Sequence, residues 1–365
     1  MDFTRTEAAQ DLSGLVGTIV DAVCTPQHQR ELDGLEQRFD TALWGKLIDA
    51  DILSTAAPES VGGGGFGVLE QTAILAALGR GLAAVPYLES VILAAGALAR
   101  FGTPELREQW AGPAVAGEKI LTVALDGEFG QGPVQATAAG AGFRLTGNRT
   151  QVPFGPVADA FLVPAETDSG TKVFLVAAGD PGVSVTPLLT TGKNSSGELD
   201  LSGVEVGTDR IVGDTDVLAW LTTHKTLGLT AFQLGVLERA LELTAEYART
   251  REQFDRPIGS FQAVSARLAD DYIDIKGLGL ALVQASWRLS EDLPADLEVA
   301  TAAFWAAEAG HRVAHTTVHV HGGVGIDVDH QVHRYFLAAK QTEFVLGAAT
   351  TQLRHIGREL ADTPA

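Results

Sequence analysis

The sequence predicts an α+β protein in three parts. Its apolar residues change period twice: helical spacing from about Arg5 to Gly117, strand-like runs from Lys119 to Gly213, and helical spacing again from Asp214 almost to the end. Length agrees, since 365 residues suit two to three structural units at about 150 residues each. The expected parts are an N-terminal helical domain over 1–118, a middle antiparallel, barrel-like β domain over 119–215 and a C-terminal four-helix bundle over 216–365.

The first helix follows from Leu12, Leu15, Val16, Ile19, Val20 and Val23, which recur at three and four. A second fits Ala42 to Leu53, and others fit 68–83, 88–101 and 104–111. Thr103-Pro104 starts the last of these, with Thr as cap and Pro in the first turn. The β part reads from short runs such as Ile120–Leu125, Ala160–Val163 and Val173–Ala177, separated by Gly, Pro, Asp and Asn. Long helices over about 216–252, 260–289, 295–320 and 331–361 complete the chain, with Pro257 and Pro294 in the first two breaks.

Composition excludes several function classes. Asp plus Glu outnumber Lys plus Arg by 46 to 26, a net charge of −20. Nucleic acid and anionic membrane both repel such a polyanion, so neither is the expected partner. One cysteine, Cys24, leaves no disulfide framework or multi-thiolate metal site and fits a reducing compartment. No 18-residue apolar run appears, and the start lacks the layout of a signal peptide. A cytoplasmic protein is expected.

Most local signals read as ordinary structure. Gly62–Gly67 lacks the Gly-Lys-Ser/Thr ending of a phosphate loop and follows no strand, so it reads as a turn between helices. His311, His315 and His319 share a helix face, with Glu308 nearby, but no His-Glu-x-x-His accompanies them and no metal is expected. Glu238, Glu242 and Glu246 with Arg239 and Arg249 read as a solvated helix face, and Asp270-Asp271 as surface.

Two segments stand out. The first runs Arg251-Glu252-Gln253-Phe254-Asp255-Arg256-Pro257-Ile258 and on to Gln262; the second runs His319-Val320-His321-Gly322-Gly323-Val324-Gly325. The first resembles the Arg-x-x-Phe-Gly-x-x-Ile-x-x-x-Gln signature of the acyl-CoA dehydrogenases, and the second resembles their Gln-x-x-Gly-Gly-x-Gly segment. The order helical, β, helical resembles that family's fold over the whole chain. The resemblance implies FAD as cofactor, and implies that Arg251, Gln253, Phe254, Gln262, His319, Gly322 and Gly323 hold the adenosine-diphosphate half of a neighbouring subunit's flavin. The chemistry suits them: a guanidinium can grip a pyrophosphate, and paired glycines let backbone N–H groups approach it. His319 stands where Gln is usual and Asp255 where Gly is usual. Nothing in the sequence explains the added charge.

The catalytic glutamate of the resembled family is missing from both of its usual places. At the C-terminal one stands Leu346, with Glu343 one turn earlier and expected to be a surface or interface charge. At the other, 29 residues before Phe254, stands Lys225, with Thr226 beside it. The flavin- and substrate-contacting Thr-Glu-x-x-x-Gly-Ser is replaced by Val123–Gly130, and the Trp-Ile-Thr-Asn strand by Gln151–Pro156. So no catalytic residue is expected on this chain. The half-site it would build for itself is eroded, while the half it would present to a neighbour is kept. That asymmetry is similar to the β subunits of α2β2 acyl-CoA dehydrogenases that shorten sterol side chains. The likeness implies an α-type partner that binds most of the acyl-CoA, and an electron-transfer flavoprotein as acceptor. A self-sufficient homotetramer using Glu343, and a flavin-free scaffold, are the competing expectations.

Overall fold

The computed structural model describes residues 3–127 and 130–362. Its chain contacts divide it into two compact units: Glu31–Gly67 with Ala84–Lys225, and Met1–Arg30 with Val68–Ala83 and Thr226–Ala365.

In the first unit the helices are short. The expected helix over Ala42–Leu53 splits into α3 (Thr41–Asp49) and α4 (Ile52–Thr55), because Asp51 between them is left-handed at φ 56°. The buried Asp40 carboxylate caps α3 by accepting from Leu43 N–H at 2.9 Å. The glycine run after α4 is a packed turn and no phosphate cradle: a Cβ on Gly63 would collide with the Ala57 carbonyl. Residues Tyr87–Ala95 are π-helical and are followed by α6 (Gly96–Phe101), α7 (Pro104–Leu106) and α8 (Gly112–Val115). Thr103 caps α7 as the sequence predicts, its hydroxyl accepting from Leu106 N–H.

The β part of this unit is one sheet in the order β6-β7-β3-β2-β4-β5-β8. The strands are β1 (Leu121–Val123), β2 (Val134–Ala139), β3 (Gly142–Pro153), β4 (Ala160–Thr167), β5 (Gly170–Ala177), β6 (Val183–Pro187), β7 (Ser196–Gly207) and β8 (Ile211–Gly213). Most pairs are antiparallel, as short strands joined by turns dictate. The expectation of a wholly antiparallel sheet fails at β4, which pairs parallel with β1 and with β2, so the sheet is mixed. A parallel partner must be reached by a crossover, and the long path from β1 to β4 is one. Residues Ala160–Ala165 of β4 are buried in unbroken succession, as expected for a strand covered on both faces. Phe161, Val163, Phe174, Val176, Leu199 and Leu201 form the core around it.

The second unit holds α1 (Glu7–Val23), α2 (Pro26–Leu32), α5 (Val68–Arg80) and the C-terminal helices. These are α9 (Thr215–Thr250), whose residues from Thr226 belong here, α10 (Gln262–Ser290), α11 (Asp296–His321), α12 (Val332–Val345) and α13 (Ala348–Asp362). The single helix expected over 331–361 therefore breaks in two. Gly347 at φ 79° and Ala348 at φ 59° end one helix and start the next. Buried Gln233 of α9 ties the bundle together by donating to the carbonyls of Ala306 and Ala339, at 3.3 and 3.0 Å. No helix among the described residues is long and apolar enough to cross a membrane.

Backbones of α5 and α9 touch through glycine. A Cβ on Gly235 would collide with the Ala76 carbonyl, and one on Gly79 with the Phe232 carbonyl. The Gly235→Ala chain must push these helices apart, and overpacking of this kind costs about 3 kcal/mol. Urea unfolding of the variant should show that loss as a lower midpoint; an unchanged midpoint would mean the helices separate freely.

Candidate functional site

The two sequence motifs meet at the ends of α9 and α11. Tyr247, one turn before Arg251, stacks on His321 with ring centroids 4.3 Å apart, and His321 directly precedes Gly322. Deeper in the same seam, Thr244 donates to the Thr317 hydroxyl at 3.2 Å. Burial lowers the His321 pKa, and its Nδ1 lies 2.8 Å from the Thr317 carbonyl oxygen, so a neutral ring is held in one orientation.

After α9 the chain makes a two-residue hairpin, β9 (Glu252–Gln253) against β10 (Arg256–Pro257), with Gln253 opposite Arg256. Its central residues, Phe254 and Asp255, have φ of 54° and 60°. Positive φ at both central positions is the type I′ pattern, in which Gly, Asn and Asp are the tolerated residues. This explains why Asp can stand where the related signature has Gly. Phe254 has no such excuse: a bulky left-handed residue is strained, and this one is 86% exposed. The hairpin base is braced by Arg256, whose guanidinium lies 4.2 Å from the Phe261 ring centre, and Phe261 in turn meets Phe254 edge-on.

Arg251, Gln253, Phe254, Gln262, His319, Gly322 and Gly323 are all exposed. Among the described residues the Arg251 guanidinium makes no hydrogen bond or ion pair. Gly322, at φ 64° and ψ −141°, adopts a backbone that only glycine enters readily, and a Cβ on Gly322 or Gly323 would point into open space. A free guanidinium, two bare glycines and an outward aromatic fit the pyrophosphate and adenosine of a dinucleotide cofactor brought by another chain. The sequence motifs did not reveal Tyr247, His321 or Arg256, which act by supporting the others. A stacked pair 74 residues apart leaves no local pattern.

The places where a general base would stand are differently filled. Lys225 is ion-paired with Asp126, which lies in the altered segment after β1. Residues Glu128 and Phe129 of that segment lie outside the described residues. Beside the pair, burial pushes Glu89 up to about 7, offset in part by the Lys225 charge. His224 stacks on Trp220 at 3.9 Å, and desolvation pushes it down to about 4. At the other place Leu346 is buried. Of the two expectations for Glu343, a surface or an interface charge, the first fails, because it is only 7% exposed. It accepts hydrogen bonds from Lys340 Nζ at 2.6 Å and faces His311 Nδ1 at 3.2 Å. Packing of α12 on α11 encloses it. Asp271, also expected at the surface, is buried for the same reason between α10 and α11. Among the described residues no cluster of His, Cys, Asp and Glu is arranged to hold a metal ion.

Fold and site together define a flavoprotein-type dehydrogenase scaffold, and the comparisons agree. The chain matches the acyl-CoA dehydrogenase N-terminal domain over residues 6–118 and its C-terminal domain over 215–361. It belongs to the acyl-CoA dehydrogenase family. It is 74% identical, over the full length of both chains, to acyl-CoA dehydrogenase FadE27 of Mycobacterium tuberculosis. It is also 30% identical to FadE28 of the same organism, covering 86% of this chain and 91% of that one. Among solved structures it superposes with a TM-score of 0.98 on a chain of the ChsE4-ChsE5 complex from M. tuberculosis, 76% identical with full coverage of both. A Tcur3481-Tcur3483 steroid ACAD variant follows at 0.92 and 37%, covering 98% of this chain and 99% of that one.

Arg251 gives the sharpest test of the exposed site. If its guanidinium meets a pyrophosphate, Arg251→Ala should cost about 2–5 kcal/mol. That is roughly 30- to 4000-fold in FAD affinity, with Arg251→Lys recovering only part. Titration of FAD into the deflavinated assembly measures it. Unchanged affinity would make Arg251 an ordinary surface cation, worth well under ~1 kcal/mol.

Proposed function

We propose that this chain is the flavin-completing, base-lacking β subunit of a heteromeric acyl-CoA dehydrogenase. Its substrate would be a steroid side-chain CoA thioester, of the kind represented by 3-oxocholest-4-en-26-oyl-CoA. The observation that carries this reading is an asymmetry. The residues that would face a neighbour's FAD are exposed, and among the described residues the Arg251 guanidinium makes no hydrogen bond or ion pair, whereas the base position on this chain holds Lys225 locked to Asp126.

Family chemistry needs a carboxylate to remove the α-proton of the thioester. A lysine ion-paired to an aspartate is a charged donor with no free lone pair, so it cannot take that proton. Glu343 is held between Lys340 and His311, and a carboxylate so engaged is a poor base. FAD, when bound, accepts the β-hydride. This chain's part is to hold the cofactor's diphosphate: Arg251 as a charge-assisted donor, the Gly322-Gly323 backbone as close-approach donors, and Phe254 as an apolar cover. The partner of α type would supply the base and most of the acyl-CoA site, and an electron-transfer flavoprotein would take the electrons onward. The full-length likeness to a chain of the ChsE4-ChsE5 complex supports such a partner, and the steroid ACAD likeness supports the substrate class.

Flavin content tests the assembly. The chain purified alone should be colourless or weakly flavinated, and co-expression with an α-type subunit should give an α2β2 particle with one flavin per αβ pair. A stable yellow homotetramer with four flavins would overturn the reading.

Glu343→Gln tests the base. The assembled enzyme should keep its turnover within about twofold while losing some thermal stability, because Lys340 loses its buried partner. A fall of ~10²–10⁴ in kcat, the size expected of general-base assistance, would place the base on this chain.

A further inference from the structure

A groove of about 600 Å³ lies between α10 and α11 and takes no part in the flavin-facing site. The carboxyl of Asp271 stands in its wall, on a residue only 2% exposed. Among the described residues no lysine or arginine is ion-paired with it, and Thr316 supplies its hydrogen bond. The nearby Arg312 is already engaged, with Asp274 at 3.1 Å and Glu308 at 2.8 Å. A buried carboxyl without a cation is costly to leave charged, and here it faces an open groove.

Two features indicate what closes over it. On α11 the groove residues His311 and His315 lie on the same helix face as His319, the face that ends at the flavin-facing loop. On α10 the rim residue Ile273 is 64% exposed, with Tyr272 beside it also exposed, an apolar flank of the kind that subunit contacts bury.

We propose that this groove is the socket for a basic side chain, arginine or lysine, of the partner subunit whose flavin the bundle completes. It rests on the heteromeric reading above. A guanidinium seated there would give Asp271 the charge-assisted partner that the chain itself withholds.

The docking must then be linked to protons. Burial, with Asp274 and Asp270 adding like charge, pushes free Asp271 up to about 7, opposed by the Thr316 hydrogen bond and, less, by Arg267. A cation favours the ionised form, so docking expels a proton, and affinity rises with pH between 6 and 8 and levels off above. From α11 the groups facing Asp271 are Thr316, Arg312, His315 and His311. The His315 pKa is lowered by burial and by the neighbouring His311 and Lys340, with Glu343 opposing them. On α12, Lys340 and Glu343 act on His315 and are paired with each other.

The experiment titrates the full-length chain with the partner subunit of the M. tuberculosis ChsE4-ChsE5 complex, by sedimentation or fluorescence, from pH 6 to pH 8. Wild type should bind about tenfold more tightly at pH 8 than at pH 6, following the ionised fraction of a carboxyl titrating near 7. Asp271→Asn, isosteric and still able to bond Thr316, should flatten the profile at the weaker, pH 6 affinity. A complex that forms with no pH dependence, or an Asp271→Asn profile like wild type, overturns the socket while leaving the heteromer intact. Failure to form any complex at any pH overturns the heteromeric reading, and the socket with it. Should the variant not fold, the wild-type profile still decides: a flat one refutes the socket.

Discussion

The stack of Tyr247 on His321 is the contact on which the presented site depends. It ties the last full turn of α9 to the last turn of α11, so that Arg251 and the Gly322-Gly323 pair emerge side by side. A neutral imidazole suits this place. Stacking on tyrosine and the Thr317 carbonyl fix the ring, and desolvation keeps it uncharged near neutral pH. Beyond the stack the motif residues themselves are exposed. The hairpin between them spends conformational strain at Phe254 to point an aromatic ring into solvent, a geometry that packing within the chain does not reward.

The two halves of the scaffold show opposite treatments of charge. At the exposed ends of α9 and α11 the Arg251 guanidinium makes no hydrogen bond or ion pair among the described residues. Around the vacated base position the charges are paired, Lys225 with Asp126, and His224 is buried neutral against Trp220. Glu343 is likewise saturated by Lys340 and His311. Ion pairs of this kind contribute little to stability, and their effect here is to occupy groups that would otherwise be reactive. A chain with one side open and the other internally satisfied is suited to completing another subunit's site. Family membership, full-length identity to FadE27 and the match to a chain of a two-component complex fit that division of labour.

Much of this was legible in the sequence, because it depends on local spacing. The change of apolar period located the helical, β and helical segments to within a few residues, and the cap at Thr103 was readable from Thr-Pro. The hairpin after α9 and the glycine pair after α11 were legible as motifs, since an Arg-x-x-Phe turn and paired glycines are read from neighbouring positions. The limits are equally physical. A turn at Asp51 and a break at Gly347 each hang on one left-handed residue, which periodicity over a dozen positions does not register. Parallel pairing of β4 with β1 is a choice of partner across a crossover, and strands of either orientation read alike.

The sequence alone determined the residue types: that no carboxylate stands at either family base position, and that an arginine, an aromatic and two glycines occupy the family's signature positions. Tertiary structure decided which charges face water. Glu343 and Asp271 look like surface residues in one dimension because their neighbours in the chain are polar. Both are buried, because the helices that cover them come from elsewhere in the chain. Burial, and with it the protonation of Asp271 and the engagement of Glu343, is a property of packed helix faces, and no single helix sequence contains its partner.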